Sequence, residues 1–166
     1  MIAAVTNLEG EITGAHRTWL ARGGRSKAPL KPPRKAMGDL LGHAVRFGRT
    51  RDVMAAGEGI ETVLSLRQAL PRMAMVSALS AGHLAALLLP ADLRRLYIVR
   101  DDDPAGDSAR DGLVARAHEA GIEAITLSPS SGDFNDDLRD RGPGMLRAHV
   151  RVQLAPEDVS RFMARR

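Results

Sequence analysis

Between Asp52 and Leu127 the chain alternates short apolar runs with helix-patterned segments, and this rhythm restricts the fold more than any other feature. Asp52 to Ala56 predicts a strand, followed by a helix over Ile60 to Leu70 in which Ile60, Val63, Leu64 and Leu70 share a face. Met73 to Ala78 predicts the next strand. Ser80 then caps a helix reaching Leu89, which Pro90 ends. Leu96 to Val99 is strand again. Pro104 stands where a first-turn proline is tolerated and opens a helix to Ala120, stopped by Gly121, before a strand over Ile122 to Leu127. Parallel neighbours need long crossovers, usually helical, so the order predicts an α/β fold with a central, mostly parallel sheet flanked by helices.

Ahead of this core, Ile2 to Val5 and Ile12 to Leu20 predict an N-terminal β-hairpin turning at Asn7 to Glu11. Gly23, Gly24, Pro29, Pro32 and Pro33 punctuate Ala21 to Pro33 too densely for a regular element, which makes it a loop. A short strand is expected near Ala44 to Phe47. Behind the core, Pro129 to Asp133 is a polar loop and Asn135 to Asp140 a short helix. Met145 to Val152 and Pro156 to Met163 are weakly amphipathic and predict helices that cover a sheet edge. The division is then residues 1–51 as hairpin and basic arm, 52–142 as core, and 143–166 as a C-terminal helical extension, around one core of ordinary size for 166 residues.

The absence of cysteine excludes disulfide staples, thiolate zinc sites and a cysteine nucleophile, and it suits a reducing, cytoplasmic setting. The longest apolar run, Leu84 to Leu89, is far too short to span a bilayer, so no membrane role is expected. Charge is uneven: Met1 to Arg51 holds ten Lys and Arg against three acids, whereas Asp52 to Arg166 holds fourteen against seventeen. A basic arm precedes an acidic body. Arg22, Arg25 and Lys27, then Lys31, Arg34 and Lys35, lie among Gly and Pro without an apolar stripe, which suits contact with phosphates; the alternative is a solvated loop.

Acids fall at the ends of three predicted strands: Glu58 after the first, Asp101 to Asp103 after the third, Asp133 and Asp136 after the fourth. Ligands of open parallel sheets bind beyond the carboxyl ends of strands, so these side chains are candidates to converge on one crevice. Clustered carboxylates repel one another, a cost that a hard cation with oxygen ligands relieves, magnesium being the natural candidate. Gly57 and Gly59 flank Glu58 and leave the backbone open to phosphate at a helix start. Solvated acids at helix starts are the competing explanation for each cluster alone.

Gly57-Glu58-Gly59-Ile60-Glu61-Thr62, then Arg100-Asp101-Asp102-Asp103-Pro104-Ala105-Gly106, then Gly132-Asp133-Phe134-Asn135-Asp136 resemble, in that order, the three signature blocks of Toprim domains. The likeness is to the Toprim domains of phage, plasmid and integrative-element primases and primase-helicases. Ser77 to Gly82, and His16-Arg17-Thr18-Trp19-Leu20 in the front segment, are similar to that subgroup as well. The resemblance implies the Rossmann-like Toprim fold, Glu58 as general acid/base, and Asp101 and Asp103 as metal ligands, with Asp133 or Asp136 adding to the metal site. It implies Mg2+, or Mn2+, as cofactor, single-stranded DNA template and nucleotides as partners, and RNA primer synthesis in the replication of a phage, plasmid or mobile element. The zinc-binding or helicase segments of full primases are not met in this stretch, so the activity is expected to draw on such a domain or protein.

Two other functions compete with a primase-like nucleotidyltransferase. A metal-dependent nuclease uses the same site with water as nucleophile, and a non-catalytic nucleic-acid-binding module uses the charge alone. Few aromatics are available for base stacking, which speaks against a dedicated single-strand binder. Alternation is expected to place His16 and Trp19 on one strand face with Trp19 in the core, and Arg17 on the other face, where it would touch nucleic acid. Asp102 is expected to be a solvent-facing spacer. Tyr97 falls mid-strand, which argues against a topoisomerase-type nucleophile.

Overall fold

The structure is a computed structural model and describes residues 1–24 and 26–163. β1 (Ile2–Thr6) and β2 (Ile12–Thr18) pair antiparallel around the expected turn. A third strand, β3 (Arg34–Gly38), pairs antiparallel with β2 and was not expected, because its residues are all exposed and carry no apolar alternation. What holds it is its cross-strand partner, with Gly14 against Gly38 and Thr18 against Arg34. Gly38 has φ 98° and lies so close to Thr13 and Gly14 that a Cβ would meet the Thr13 carbonyl at 2.4 Å, so the approach of β3 requires glycine.

A second sheet has the order β4-β6-β5-β7-β8, in which β4 (Val45–Phe47) runs antiparallel at one edge and the other four strands are parallel. β5 (Val53–Gly57), β6 (Ala74–Ser77) and β7 (Arg95–Val99) are buried almost throughout, as expected of parallel strands covered on both faces, and β8 (Glu123–Leu127) forms the other edge. Alternation divides them cleanly. Ala55, Tyr97, Val99 and Leu127 face one layer, with α1 (Ile60–Ala69), α4 (Phe134–Arg151) and α5 (Pro156–Phe162). Met54, Ala56, Leu96 and Ile98 face the other, with α2 (Ala81–Ala85) and α3 (Pro104–Glu119). The result is a three-layer α/β/α core. Each fully buried Leu or Met contributes roughly 1.5–3 kcal/mol, so both layers are needed.

The order of the strands makes β5 the pivot. The chain leaves β5 through α1 to β6 on one side, then returns past β5 to β7 and β8 on the other. A crevice therefore opens between the carboxyl ends of β5 and β7, the switch point of the sheet.

Two expectations for the helices change. α2 stops at Ala85 instead of reaching Leu89, because the Leu88 amide turns away to bond the Gly42 carbonyl while Leu87 enters the core. The C-terminal helices lie on a face and not on an edge: Leu146, Val150 and Phe162 are buried in the layer of α1. A kink at Gly142, φ 76°, just before Pro143, redirects α4 onto that layer. α5 is anchored by Asp158, buried and bonded at 2.7 Å by both Arg95 and the Tyr97 hydroxyl. The two sheets join where Thr6 pairs with Ala44 and Val5, Val45 and Ile60 form a small apolar core.

Candidate functional site

Each acidic cluster sits where a strand ends and a helix begins. Glu58 follows β5 at the turn into α1, its carbonyl accepting hydrogen bonds from Ser77 Oγ at 2.7 Å and the Leu79 amide at 2.8 Å. Gly57 before it admits Val63 and Val99 so closely that a Cβ would stand 3.0 Å from each. Asp101 to Asp103 follow β7. Asp103 Oδ1 caps α3 by accepting from the Gly106 amide at 2.7 Å, and a Cβ on Gly106 would strike the Asp101 carbonyl at 2.3 Å, so that glycine sets how tightly the acidic turn wraps the helix start. Asp133 caps α4 through Oδ1, which accepts from the Asp136 amide at 2.8 Å, while its Oδ2 accepts from Thr62 Oγ1 at 3.1 Å.

Glu58, Asp101 and Asp133 line one cleft of about 550 Å³ together with Lys27 and Arg34, while Asp103 and Asp136 stand outside its lining. Asp101 is the electrostatic centre. Its carboxyl is pushed up to about 7 by burial and then by the charges of Glu58, Asp133 and Asp103. Its Oδ1 is buried and has no hydrogen-bond partner, an arrangement that is unfavourable unless something else satisfies the oxygen. The Glu58 carboxyl is likewise raised, by burial and by Asp103, with Arg34 opposing. Among the described residues, no group of three or more His, Cys, Asp or Glu side chains is arranged to hold a metal ion by itself. Asp103 and Asp133 have committed oxygens to helix caps.

The remaining candidates separate. Asp136 is half exposed, 3.6 Å from Arg139. Asp102 is exposed, as expected, and pairs with Arg100 at 2.7 Å. Of the basic residues, Lys27 and Arg34 enter the cleft, while Arg22, Lys31 and Lys35 are exposed outside it. Arg25 lies outside the described residues. His16 and Arg17 face opposite ways as expected, but Trp19 changes sides: His16 and Thr18 are buried together, and Arg17 and Trp19 lie together on the exposed side, the Arg17 guanidinium 5.3 Å from the indole centroid. A period of two pairs residue 17 with 19, not 16 with 19.

Sequence reasoning missed several cleft residues. Glu61 lines it and pairs with Lys27 at 3.2 Å; burial pushes its carboxyl up, but bonds from its own amide and from Lys27, with the charge of Arg34, outweigh this and hold it low. Thr62 and Asn135 line it as well, and both stand inside motif blocks already singled out. Asp137, buried with Oδ2 accepting from the Ser130 amide at 2.7 Å, holds the loop before α4. Tyr97 is buried, donates to Asp158 at 2.7 Å and accepts from the Ala155 amide at 3.0 Å.

Fold and site together define an α/β domain with an acid-floored, base-walled cleft at the switch point of its sheet. The chain belongs to the Toprim family, whose domain matches residues 53–144, and residues 1–47 match a domain of unknown function. No sequence among the curated proteins matches it. Among solved structures, it is similar to the Aquifex aeolicus primase with zinc-binding and RNA polymerase domains (TM-score 0.63, 18% identity, 92% of this chain and 40% of that one). It is similar too to the primase fragment of the bacteriophage T7 primase-helicase (TM-score 0.64, 12% identity, 92% and 61%). The RNA polymerase domain of Mycobacterium tuberculosis primase DnaG is a third (TM-score 0.57, 17% identity, 90% and 53%). At such identities the likeness is one of fold, and the chain spans less than two thirds of each of these structures. No described helix is long and apolar enough to cross a membrane.

Proposed function

We propose that this chain is the catalytic domain of a primase-like nucleotidyltransferase, dependent on magnesium or manganese, that makes RNA primers on single-stranded DNA. The observation that carries this reading is the unpartnered, buried Asp101 Oδ1, set among acids in a cleft that Lys27 and Arg34 also line. Toprim domains generally depend on a divalent metal, and the donor set here is all oxygen, as hard cations prefer. Asp101 would be the principal ligand and Asp103 the second, with Asp133 and Asp136 closing the acidic side. A bound cation would neutralise phosphate charge and align the attacking hydroxyl. A hard ion keeps several waters and takes phosphate oxygens, so a cluster short of three ready protein ligands fits it.

The chain's own residues supply the rest. Glu58 is the acid/base: burial and then Asp103 raise its proton affinity, which suits a group that accepts and returns a proton. Lys27 and Arg34 hold phosphate opposite the acids, and Arg17, Arg22, Arg25, Lys31 and Lys35 extend the phosphate-contacting surface. Residues 1–51 form the arm and sheet that carry this wall, 52–142 the catalytic core, and 143–166 an extension covering the α1 layer. In the cell the partners would be template, nucleotides and a zinc-binding or helicase domain or protein, in the cytoplasm.

The test is incubation with labelled single-stranded DNA, nucleotides and magnesium or manganese, scoring extension and cleavage in the same gel. Extended or newly primed product supports the reading. Cleavage without extension replaces it with a nuclease, and neither product at any protein concentration reduces the chain to a binding module.

A further inference from the structure

We propose that Trp19, with Arg17 against it, is a base-stacking platform for single-stranded nucleic acid on the outer face of the N-terminal sheet. The inference rests on the reading above in taking nucleic acid as the ligand, and goes beyond it in naming where an unpaired base is held.

Five aromatic residues exist in the chain. Tyr97, Phe134 and Phe162 are buried and Phe47 packs partly buried against the core, whereas Trp19, the largest, keeps 36% of its surface exposed. An indole left in water on a chain this poor in aromatics asks for a partner. Its neighbour Arg17 lies 5.3 Å from the ring centroid, and the Arg17 cross-strand partner Lys35 stands on the same face, so the indole is set in a positive field. None of the three strands of this sheet contains an acid. A planar aromatic surface flanked by cations is the surface that stacks bases while drawing in phosphates.

The platform is fixed. The Trp19 amide donates to the Pro33 carbonyl at 3.0 Å and its carbonyl accepts from the Ala28 amide at 2.8 Å, pinning it from both sides of the arm. Leu20 and Arg34, the cross-strand partner of Thr18, line the cleft, so Trp19, Arg17 and Lys35 stand on the opposite face of the sheet. A strand whose base stacks on Trp19 has its adjoining phosphates beside Arg17 and Lys35. Ile2 and Met37, exposed on the same face, would favour a protein partner instead, and the experiment separates the two.

Trp19 is the sole tryptophan, so its fluorescence reports on this site alone. Unlabelled oligo-dT and oligo-U would be titrated against the protein while anisotropy of a labelled strand measures binding independently. The expected result is saturable quenching with the same midpoint as the anisotropy, little quenching by blunt duplex, and none by an abasic strand of equal length, which keeps phosphates but offers no base. Trp19→Ala should weaken binding about 5- to 150-fold, the range of one lost stack, with an unchanged salt slope because stacking releases no counterions. Trp19→Phe should keep most of the affinity. Binding seen by anisotropy with Trp19 fluorescence unmoved and Trp19→Ala unweakened overturns the platform and leaves nucleic acid as ligand, pointing this face to a protein. No binding by either readout overturns both.

Discussion

Thr62 on α1 donates a hydrogen bond of 3.1 Å to Asp133, the N-cap of α4, across a separation of 71 residues. Ser65, one turn later, reaches Asn135 at 3.4 Å. Two buried hydroxyls thus fasten the third acidic block to the helix that begins after Glu58. Thr62→Val keeps the shape and removes the donor. Chemical denaturation should show a loss of about 0.5–1.5 kcal/mol, the usual net worth of one hydrogen bond, and activity should need more metal, while Thr62→Ser restores both. Unchanged stability and metal requirement in Thr62→Val would make the link incidental.

Asp101 is half-buried among like charges, which makes its ionised form costly to the fold and a bound cation, as proposed, a relief of that cost. Asp101→Asn should therefore melt higher than wild type without metal and gain nothing when magnesium is added, whereas wild type gains with metal concentration as native-state binding requires. Asp103→Asn preserves the helix cap, asparagine being as good there, so a loss of metal affinity in it is a loss of ligand and not of fold. Calorimetry should find at least about a tenfold weakening in each, the lower range for disturbing a metal's surroundings. Equal affinity in all three proteins would remove the metal assignment.

The arm should divide by function. Lys27→Gln with Arg34→Gln is expected to raise the nucleotide KM and weaken DNA binding, because both residues face the acids in the cleft. Lys31→Gln with Lys35→Gln should leave the nucleotide KM alone and flatten the dependence of log affinity on log salt by roughly 0.7 per lost single-strand phosphate contact. An unaltered slope would make that part of the arm an ordinary loop.

At the opposite end of the sheet, hydrogen bonds from Arg161 hold the Asp52 carboxyl at about 2, below its ordinary 3.8. A depressed folded value means that the stabilisation is present above 3.8 and is lost as pH falls toward about 2. With both side chains more than a third exposed, the effect is small and screened by salt. In Arg161→Met the Asp52 resonance should titrate near 3.8 and the acid limb of the melting curve should flatten over that window. An Asp52 titration identical in the two proteins would contradict this.

Much of the fold was legible because its strongest signals are local. The runs of β5 and β7 are apolar throughout, as burial on both faces demands, and the three acidic blocks follow strands directly, so their convergence needed only the rule for sheet ends. What was not legible depends on distant partners. β3 is a strand only because β2 lies beside it, α2 is cut short by Gly42, and Thr62 and Asn135 owe their places to a contact between α1 and α4. Nothing in Asp103 or Asp133 themselves distinguished an oxygen capping a helix from one awaiting a ligand. The core placement expected of Trp19 beside His16 fails because a period of two pairs it with Arg17 and turns it outward.

The most direct measurement of the central claim is turnover by Glu58→Gln beside its melting temperature and metal affinity. The side chain stands at a strand-to-helix turn and is half-buried, burial and then the charge of Asp103 raising its proton affinity against Arg34, and the substitution preserves shape while removing the proton acceptor. The account predicts a protein that melts and binds metal like wild type and loses nucleotidyl transfer by about 10²–10⁴-fold, the typical contribution of a positioned acid/base. Full activity in Glu58→Gln, with extension product equal to wild type, would contradict it.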